Sequence, residues 1–403
     1  MREASIRGDF PALAQSVHGK PLVYLDNAAT TQKPLAVLDA MQRYYLQDNA
    51  NVHRAAHTLA ARATEAMESA RSKVAALLNA GASDLIVFTR GTTESINLIA
   101  SGIEHQLRSG DRILVTALEH HSNFVPWQQC ALRSGAKVDV VRVTPEGEID
   151  HDDFAAKLFP ETRIVAFAHV SNALGTIHPV NELVSTIRSR CGARIVIDGA
   201  QAILHLPVDV RALDIDFYAF SSHKMFGPTG MGVLYGRREA LDSLRPSQYG
   251  GEMIEHVTME ASTFNVLPFR FEAGTPNIAG AVGLGAAVDY LSSIPRDALL
   301  LQEEKLIGQA IAALTAMNGI RLVGRPKERL SVVSFLVEGA SAHDVGTLLD
   351  QQGIAVRTGH QCTMPLMQSL GISGTVRASF SLYNDTTDVE RFVQAMHKTL
   401  TFL

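Results

Sequence analysis

RIVAFAHV (Arg163–Val170), RIVID (Arg194–Asp198) and DFYAFS (Asp216–Ser221) are the runs whose reading decides the fold. Each is rich in Ile, Val or Phe and apolar nearly throughout, with no polar alternation. A strand wetted on one face alternates, whereas a strand covered on both faces does not. These runs therefore predict a mainly parallel sheet between helical layers, an α/β architecture. The texture extends outward through LIVFT (Leu85–Thr89), RILVT (Arg112–Thr116) and VDVVRV (Val138–Val143), and on to GVLYG (Gly232–Gly236), which makes seven strands. Helical patterns separate them. In Ala61–Ala80, for example, Ala63, Met67, Ala70, Val74 and Leu77 share one face. In such sheets ligand groups collect at the carboxyl ends of the strands, so the polar residues after each apolar run are the informative ones.

After Pro276 the texture changes. Two helical patterns (about Ile278–Ser292 and Leu299–Met317) lead into SVVSFLVEG, a helix around His343–Gln351, IAVRTG, the strand VRASFSLYN and a last helix from Thr387. The expected organisation is an N-terminal segment (1–22), a large domain (23–276) and a smaller C-terminal α/β domain (277–403), with Gly274–Asn277 as a hinge by its turn residues. The 403 residues are 46% hydrophobic and 19% charged, which suits a globular chain with a large core. Net charge is 36 − 41 = −5, so no basic field invites nucleic acid or an anionic membrane. No apolar run is long enough for a membrane span. The start of the chain does not read as a signal peptide, and three cysteines cannot form a full disulfide set; a reducing cytoplasm is expected.

Three polar segments follow apolar runs. Arg90-Gly91-Thr92-Thr93-Glu94 opens a helix, where amide N–H groups and two hydroxyls favour an anion. Thr-x-Glu is equally an ordinary helix-capping arrangement. Asp198 ends RIVID; its carboxylate suits a cationic ring nitrogen, a metal, or a simple cap. Lys224 follows Ser221-Ser222-His223 near a glycine-rich turn; it reads as a solvated lysine or as one that condenses with an aldehyde, for which its amine must lose a proton. Together they supply a phosphate cradle, a partner for a pyridinium nitrogen and an amine for an aldehyde, the set that pyridoxal 5′-phosphate needs.

YLDNAATTQKP (Tyr24–Pro34), NVHR (Asn51–Arg54), RGTTESIN, EHHSN (Glu119–Asn123), HVSNALGT (His169–Thr176), DGAQA, FSSHKMFGPTG, FEAGTPN (Phe271–Asn277), RTGHQC (Arg357–Cys362) and RASFSLYN resemble, in order and over nearly the whole chain, the cysteine desulfurases of the class V aminotransferases, and among them the SufS-like subgroup. The resemblance implies the fold type I architecture of pyridoxal-phosphate-dependent transferases and conversion of L-cysteine to L-alanine. It implies that Lys224 holds the cofactor, Asp198 partners its ring nitrogen and Gln201 its phenolic oxygen. Thr92, Thr93, Ser221 and His223 then hold its phosphate, with Thr275 reaching the neighbouring subunit's site. His120 stacks on the ring and takes part in proton transfer. Asn172 and Arg377 meet the substrate carboxylate, and His53, Arg54 and Arg357 line the pocket. Cys362 would receive the sulfur as a persulfide. In sequence, Arg357 and His360 lie near enough to favour its thiolate, whereas Cys130 reads as a packing residue. Ser222 and Gln361 stand where many relatives have glycine and histidine. The resemblance further implies a homodimer, a sulfur-acceptor protein of the SufE/SufU type suited to the short cysteine loop, and a role in iron–sulfur cluster assembly; no metal site is expected. The rivals are a selenocysteine lyase or cysteine sulfinate desulfinase on the same residues, a transaminase or kynureninase-like enzyme that leaves RTGHQC without a task, and a non-catalytic scaffold.

Overall fold

The computed structural model describes residues 6–403; residues 1–5, the start of the expected N-terminal segment, lie outside the described residues. Seven strands form the central sheet in the spatial order Ile86–Thr89, Gly232–Gly236, Phe217–Ser221, Arg194–Asp198, Thr162–Ala168, Arg112–Thr116 and Lys137–Val141. All neighbours are parallel except Gly232–Gly236, which runs against both strands beside it. The unbroken apolar runs conceal a period of two. Leu114, Val165, Phe167, Ile195 and Ile197 enter one core with helices Thr58–Leu77 and Val180–Arg190, while Ile113, Val115, Ile164, Ala166 and Val196 enter another with helices Thr92–Ile103 and Val125–Ser134. Both faces are dry, so neither set of alternate side chains is polar.

A second sheet, wholly antiparallel, has the order Ile320–Val323, Val332–Val337, Thr375–Ser379, Arg357–Gly359. Helices Arg296–Thr315, Ala342–Asp350 and Thr386–Leu400 cover it around Val333, Phe335, Val376 and Phe392. Val23–Tyr24 pairs in parallel with Ile354–Ala355, so an early segment is stitched to a late one.

Helix Ile278–Ser292 differs from the reading of residue 277 as a boundary. Asn277 caps it by accepting the Gly280 N–H at 2.9 Å, and its buried side chains join the core of the large sheet. Its small residues allow close approach: a Cβ at Gly285 would come within 2.9 Å of Ala70 Cβ on helix Thr58–Leu77. Texture changes at 277 because the helix is apolar all round, while the change of core comes later. We propose a division between the units near Pro295. Among the described residues no single helix is long and apolar enough to cross a membrane; Ile278–Ser292 and Arg296–Thr315 are bent by 83° at their junction.

Candidate active site

Five parallel strands end at one cavity of about 180 Å³, where the large sheet meets the small unit. The loop after Thr89 brings Thr92 and Thr93, the one after Thr116 brings His120, and the one after Ala168 brings Asn172. Asp198 and Gln201 come from the next strand end, and Ser221, His223 and Lys224 from the last. Arg357 and Arg377 reach in from the small sheet. Eleven residues singled out in the sequence thus line one space.

The capping alternative for Thr92 and Thr93 is not what forms. Gly91 is the N-cap and offers no side chain, while Glu94 turns back to accept the Arg90 N–H at 2.5 Å. The Thr92 amide and hydroxyl instead meet Ser221 Oγ at 2.8 and 2.7 Å. A Cβ at position 91 would stand 3.3 Å from that Ser221 oxygen, so glycine keeps the helix N-terminus open. Asp198 does part of the bland task as well, since Oδ1 accepts the Ala200 N–H at 2.9 Å. Burial pushes its carboxyl above the usual range, and Lys224 draws it back. Among the described residues no three metal-ligating side chains gather.

Lys224 is half-buried in the cavity wall. Burial pulls its ammonium down to about 8, against the opposing pull of Asp198. An amine near that value is readily freed of its proton. Burial, then Lys224 and His121, pulls His120 down to about 3. Its Nδ1 accepts the Ser122 N–H at 3.1 Å, which leaves the single ring proton on Nε2. Gln201 donates from Nε2 to the Ala28 carbonyl at 2.7 Å, so only its second N–H is left for a ligand.

Arg377 is not a bare fork. Nη1 donates to the Asn172 carbonyl at 2.7 Å and Nη2 to Asp26 Oδ1 at 3.1 Å, while the buried Nε has no protein partner. Burial lowers its guanidinium to about 10. Asp26 is a functional neighbour to which the sequence reading gave no role. The signal was an acid directly after the apolar YL of Tyr24–Leu25.

Cys362 sits half-buried on the loop after Arg357–Gly359, with φ 57°. Three bonds clamp this loop to the rim: His121 N–H to the Cys362 carbonyl at 2.8 Å, Met364 N–H to His121 Nε2 at 3.1 Å, and Asn172 Nδ2 to the Gln361 carbonyl at 2.7 Å. His360 does not serve the thiol through Nδ1, which accepts the Cys362 amide at 3.0 Å. Cys130 is fully buried, and burial raises its thiol to about 11. Cys362, Thr275, His53 and Arg54 do not line this cavity within one chain, although Gln361 beside Cys362 does. Thr275 lines a neighbouring cavity with Arg90 and Gln248, and His53 and Arg54 both face Glu252, at 3.9 and 3.1 Å.

Residues 23–392 match the profile of the aminotransferase class-V family, and the chain is 48% identical to a probable cysteine desulfurase of Vibrio cholerae over 99% of this chain and 98% of that protein. The chain belongs to this family, among its cysteine desulfurases. It is also 48% identical to a cysteine desulfurase of Synechococcus elongatus over 98% of its own length and 63% of that longer protein. The crystal structure of the cysteine desulfurase CsdA from Escherichia coli superposes with a TM-score of 0.93 at 40% identity, covering 100% of this chain and 99% of that one. The apo cysteine desulfurase from Thermococcus onnurineus gives 0.92 at 41%, covering 98% and 99%. The fold is therefore the type I fold of pyridoxal-phosphate enzymes, and the cofactor of this desulfurase is pyridoxal 5′-phosphate. The donor set fits that group: an open helix N-terminus with hydroxyls for phosphate, a buried carboxyl, and a lysine of lowered basicity.

Proposed function

We propose that this SufS-like chain takes sulfur from L-cysteine, releases L-alanine and holds the sulfur as a persulfide on Cys362. The observation that carries the proposal is the clamp of His121 and Asn172 on the backbone of the Cys362 loop, whose Gln361 lines the Lys224–Asp198 cavity. When bound, pyridoxal phosphate supplies an electron sink that weakens the substrate's Cα–H bond. Lys224 would hold the cofactor's aldehyde, and its amine, when free, would take the Cα proton. Asp198 keeps the ring nitrogen protonated, while Thr92, Thr93, Ser221 and His223 anchor the phosphate. The substrate carboxylate meets the unspent N–H groups of Arg377 beside Asn172. The Cys362 thiolate would attack the substrate sulfur, so that an S–S bond forms as the Cβ–S bond breaks, and Cβ would take up a proton, in net the one released when Cys362 ionises, with His120 as an orienting neighbour. Burial keeps His120 neutral, so it would orient the reacting groups through Nε2–H and not serve as the net proton source.

Two copies are part of this reading. Thr275, His53 and Arg54 lie outside the chain's own cavity, where a second chain would put them to use. A protein acceptor of the SufE/SufU type would collect the sulfur from Cys362, which the short loop leaves half-buried, for iron–sulfur assembly in the cytoplasm. The test is mass spectrometry after incubation with L-cysteine. A gain of one sulfur on Cys362, absent from Cys362→Ala, is expected. A Cys362→Ala protein that still converts cysteine to alanine at full rate would overturn the persulfide step. If that variant stays active only on selenocysteine, the lyase reading takes its place.

A further inference from the structure

The carbonyl oxygen of His223, one peptide before Lys224, accepts from four donors. They are Thr31 N–H at 3.0 Å, Thr30 Oγ1 at 3.1 Å, Thr31 Oγ1 at 3.2 Å and Lys33 Nζ at 3.0 Å. A carbonyl has two lone pairs, so these donors compete, and the charged one dominates. Lys33 Nζ also donates to the Thr31 carbonyl at 2.5 Å, and Thr31 Oγ1 accepts the Phe226 N–H at 2.9 Å. The Thr30–Lys33 loop therefore grips the turn on both sides of Lys224.

Lys33 is a cation in the wrong company. Among the described residues no carboxylate lies within 4.0 Å of it, and its partners are all neutral oxygens. Burial draws its ammonium down to about 8. An uncompensated, half-buried charge is costly to keep unless negative charge arrives nearby. The phosphate cradle is the place where it is due. Thr92, Thr93 and Ser221 offer neutral hydroxyls, and His223 is held down to about 4 by burial, Lys224 and Lys33. A phosphate monoester there carries roughly −1.5 to −2. Among the described residues, Lys33 is the one charged side chain that hydrogen-bonds to a residue of the cradle.

We propose that Lys33 is a positioning residue: its ammonium, held on the His223 carbonyl, fixes the peptide that carries Lys224 and supplies positive charge behind an anion cradle whose own side chains are neutral. The proposal rests on the pyridoxal phosphate reading of the site. A role in packing alone would leave the charge without effect.

The test uses wild type, Lys33→Met, Lys33→Gln and Lys33→Arg, each purified as holoprotein, stripped with hydroxylamine and retitrated with pyridoxal phosphate. Circular dichroism checks the fold. The first readout is cofactor affinity, and the second is the pH midpoint of the visible band of the lysine-bound cofactor. Lys33→Met is expected to bind about tenfold more weakly, the worth of one charge near a dianion across a partly screened gap. Its band should titrate higher, because the cation held on the His223 carbonyl, one peptide before Lys224, is gone. Lys33→Gln restores a donor without the charge and should share both changes; it carries the test if Lys33→Met does not fold. Lys33→Arg should return the midpoint towards wild type. Wild-type affinity and midpoint in folded Lys33→Gln would overturn the proposal, as would a folded Lys33→Arg with the midpoint of Lys33→Met. A wild-type protein that takes up no pyridoxal phosphate would sink the functional reading instead.

Discussion

His120 should carry a single proton, on Nε2, throughout the neutral range. Its Nδ1 accepts the Ser122 N–H at 3.1 Å, and burial with neighbouring cations lowers it from 6.5 to about 3. That shift corresponds to about 5 kcal/mol against the imidazolium. At pH 7 roughly one ring in ten thousand would hold both protons, against about one in four for an unperturbed histidine. The same shift enters stability. The unfolded chain takes up the proton near pH 6.5, whereas the folded chain resists until about 3. The contribution is therefore intact above 6.5 and is lost as pH falls through that window. Between about pH 7.5 and pH 5.5, wild type should lose about 1.4 kcal/mol more unfolding free energy than His120→Gln. Nitrogen–proton correlation spectra of histidine-labelled, cofactor-stripped protein would show the tautomer, with His120→Gln assigning the signal, and urea unfolding at the two pH values would show the slope. An imidazole at 120 that titrates near its ordinary value, or equal slopes in the two proteins, would refute the reasoning.

Three further outcomes follow from the same geometry. Glu272→Gln should cost about 2 kcal/mol in urea unfolding, because Arg71, which is 1% exposed and held by Glu272 at 2.6 and 3.0 Å, would keep only Glu68 as a carboxylate partner; an unchanged midpoint would contradict the pairing. Gly199→Ala should lower both stability and cofactor retention, since its Cβ would fall 2.1 Å from the Tyr218 ring directly behind Asp198. Retention at the wild-type level in a melting and absorbance comparison would count against this. Ser222→Ala should raise stability by about 1 kcal/mol, because the Ser222 hydroxyl is buried without a partner; a lower melting temperature would mean that the hydroxyl is satisfied.

Much of the site could be read from the chain because strand ends in a parallel sheet are marked by abrupt polarity. Asp198 after RIVI and Lys224 after FYAFSSH announce themselves in that way. The central strands were legible for the same reason. RIVID and GVLYG match their observed spans, whereas VDVVRV is observed as Lys137–Val141, its last residues leaving the ladder. What stayed hidden depends on partners distant in sequence. The edge strand Ile320–Val323 has only mixed burial and no pattern to betray it. The hairpin Ile254–Val257 with Ser262–Phe264 is largely exposed, so no core residue flags it. Asp26 gains its meaning from Arg377, and His121 gains its own from the Cys362 loop, contacts that local composition cannot show.

The parallel pairing of Val23–Tyr24 with Ile354–Ala355, and of Asp26 with Ser379, bears on how the molecule is made. Synthesis is vectorial, so Val23–Tyr24 is made before its partner strand and must wait for residues translated more than three hundred positions later. Until then the nascent chain has Asp26 without Arg377 and Lys224 without the Arg357 and Gln361 that line its cavity. A chain halted before residue 354 would thus carry the strand ends of the large sheet but neither Arg357 nor Arg377 to complete the cavity.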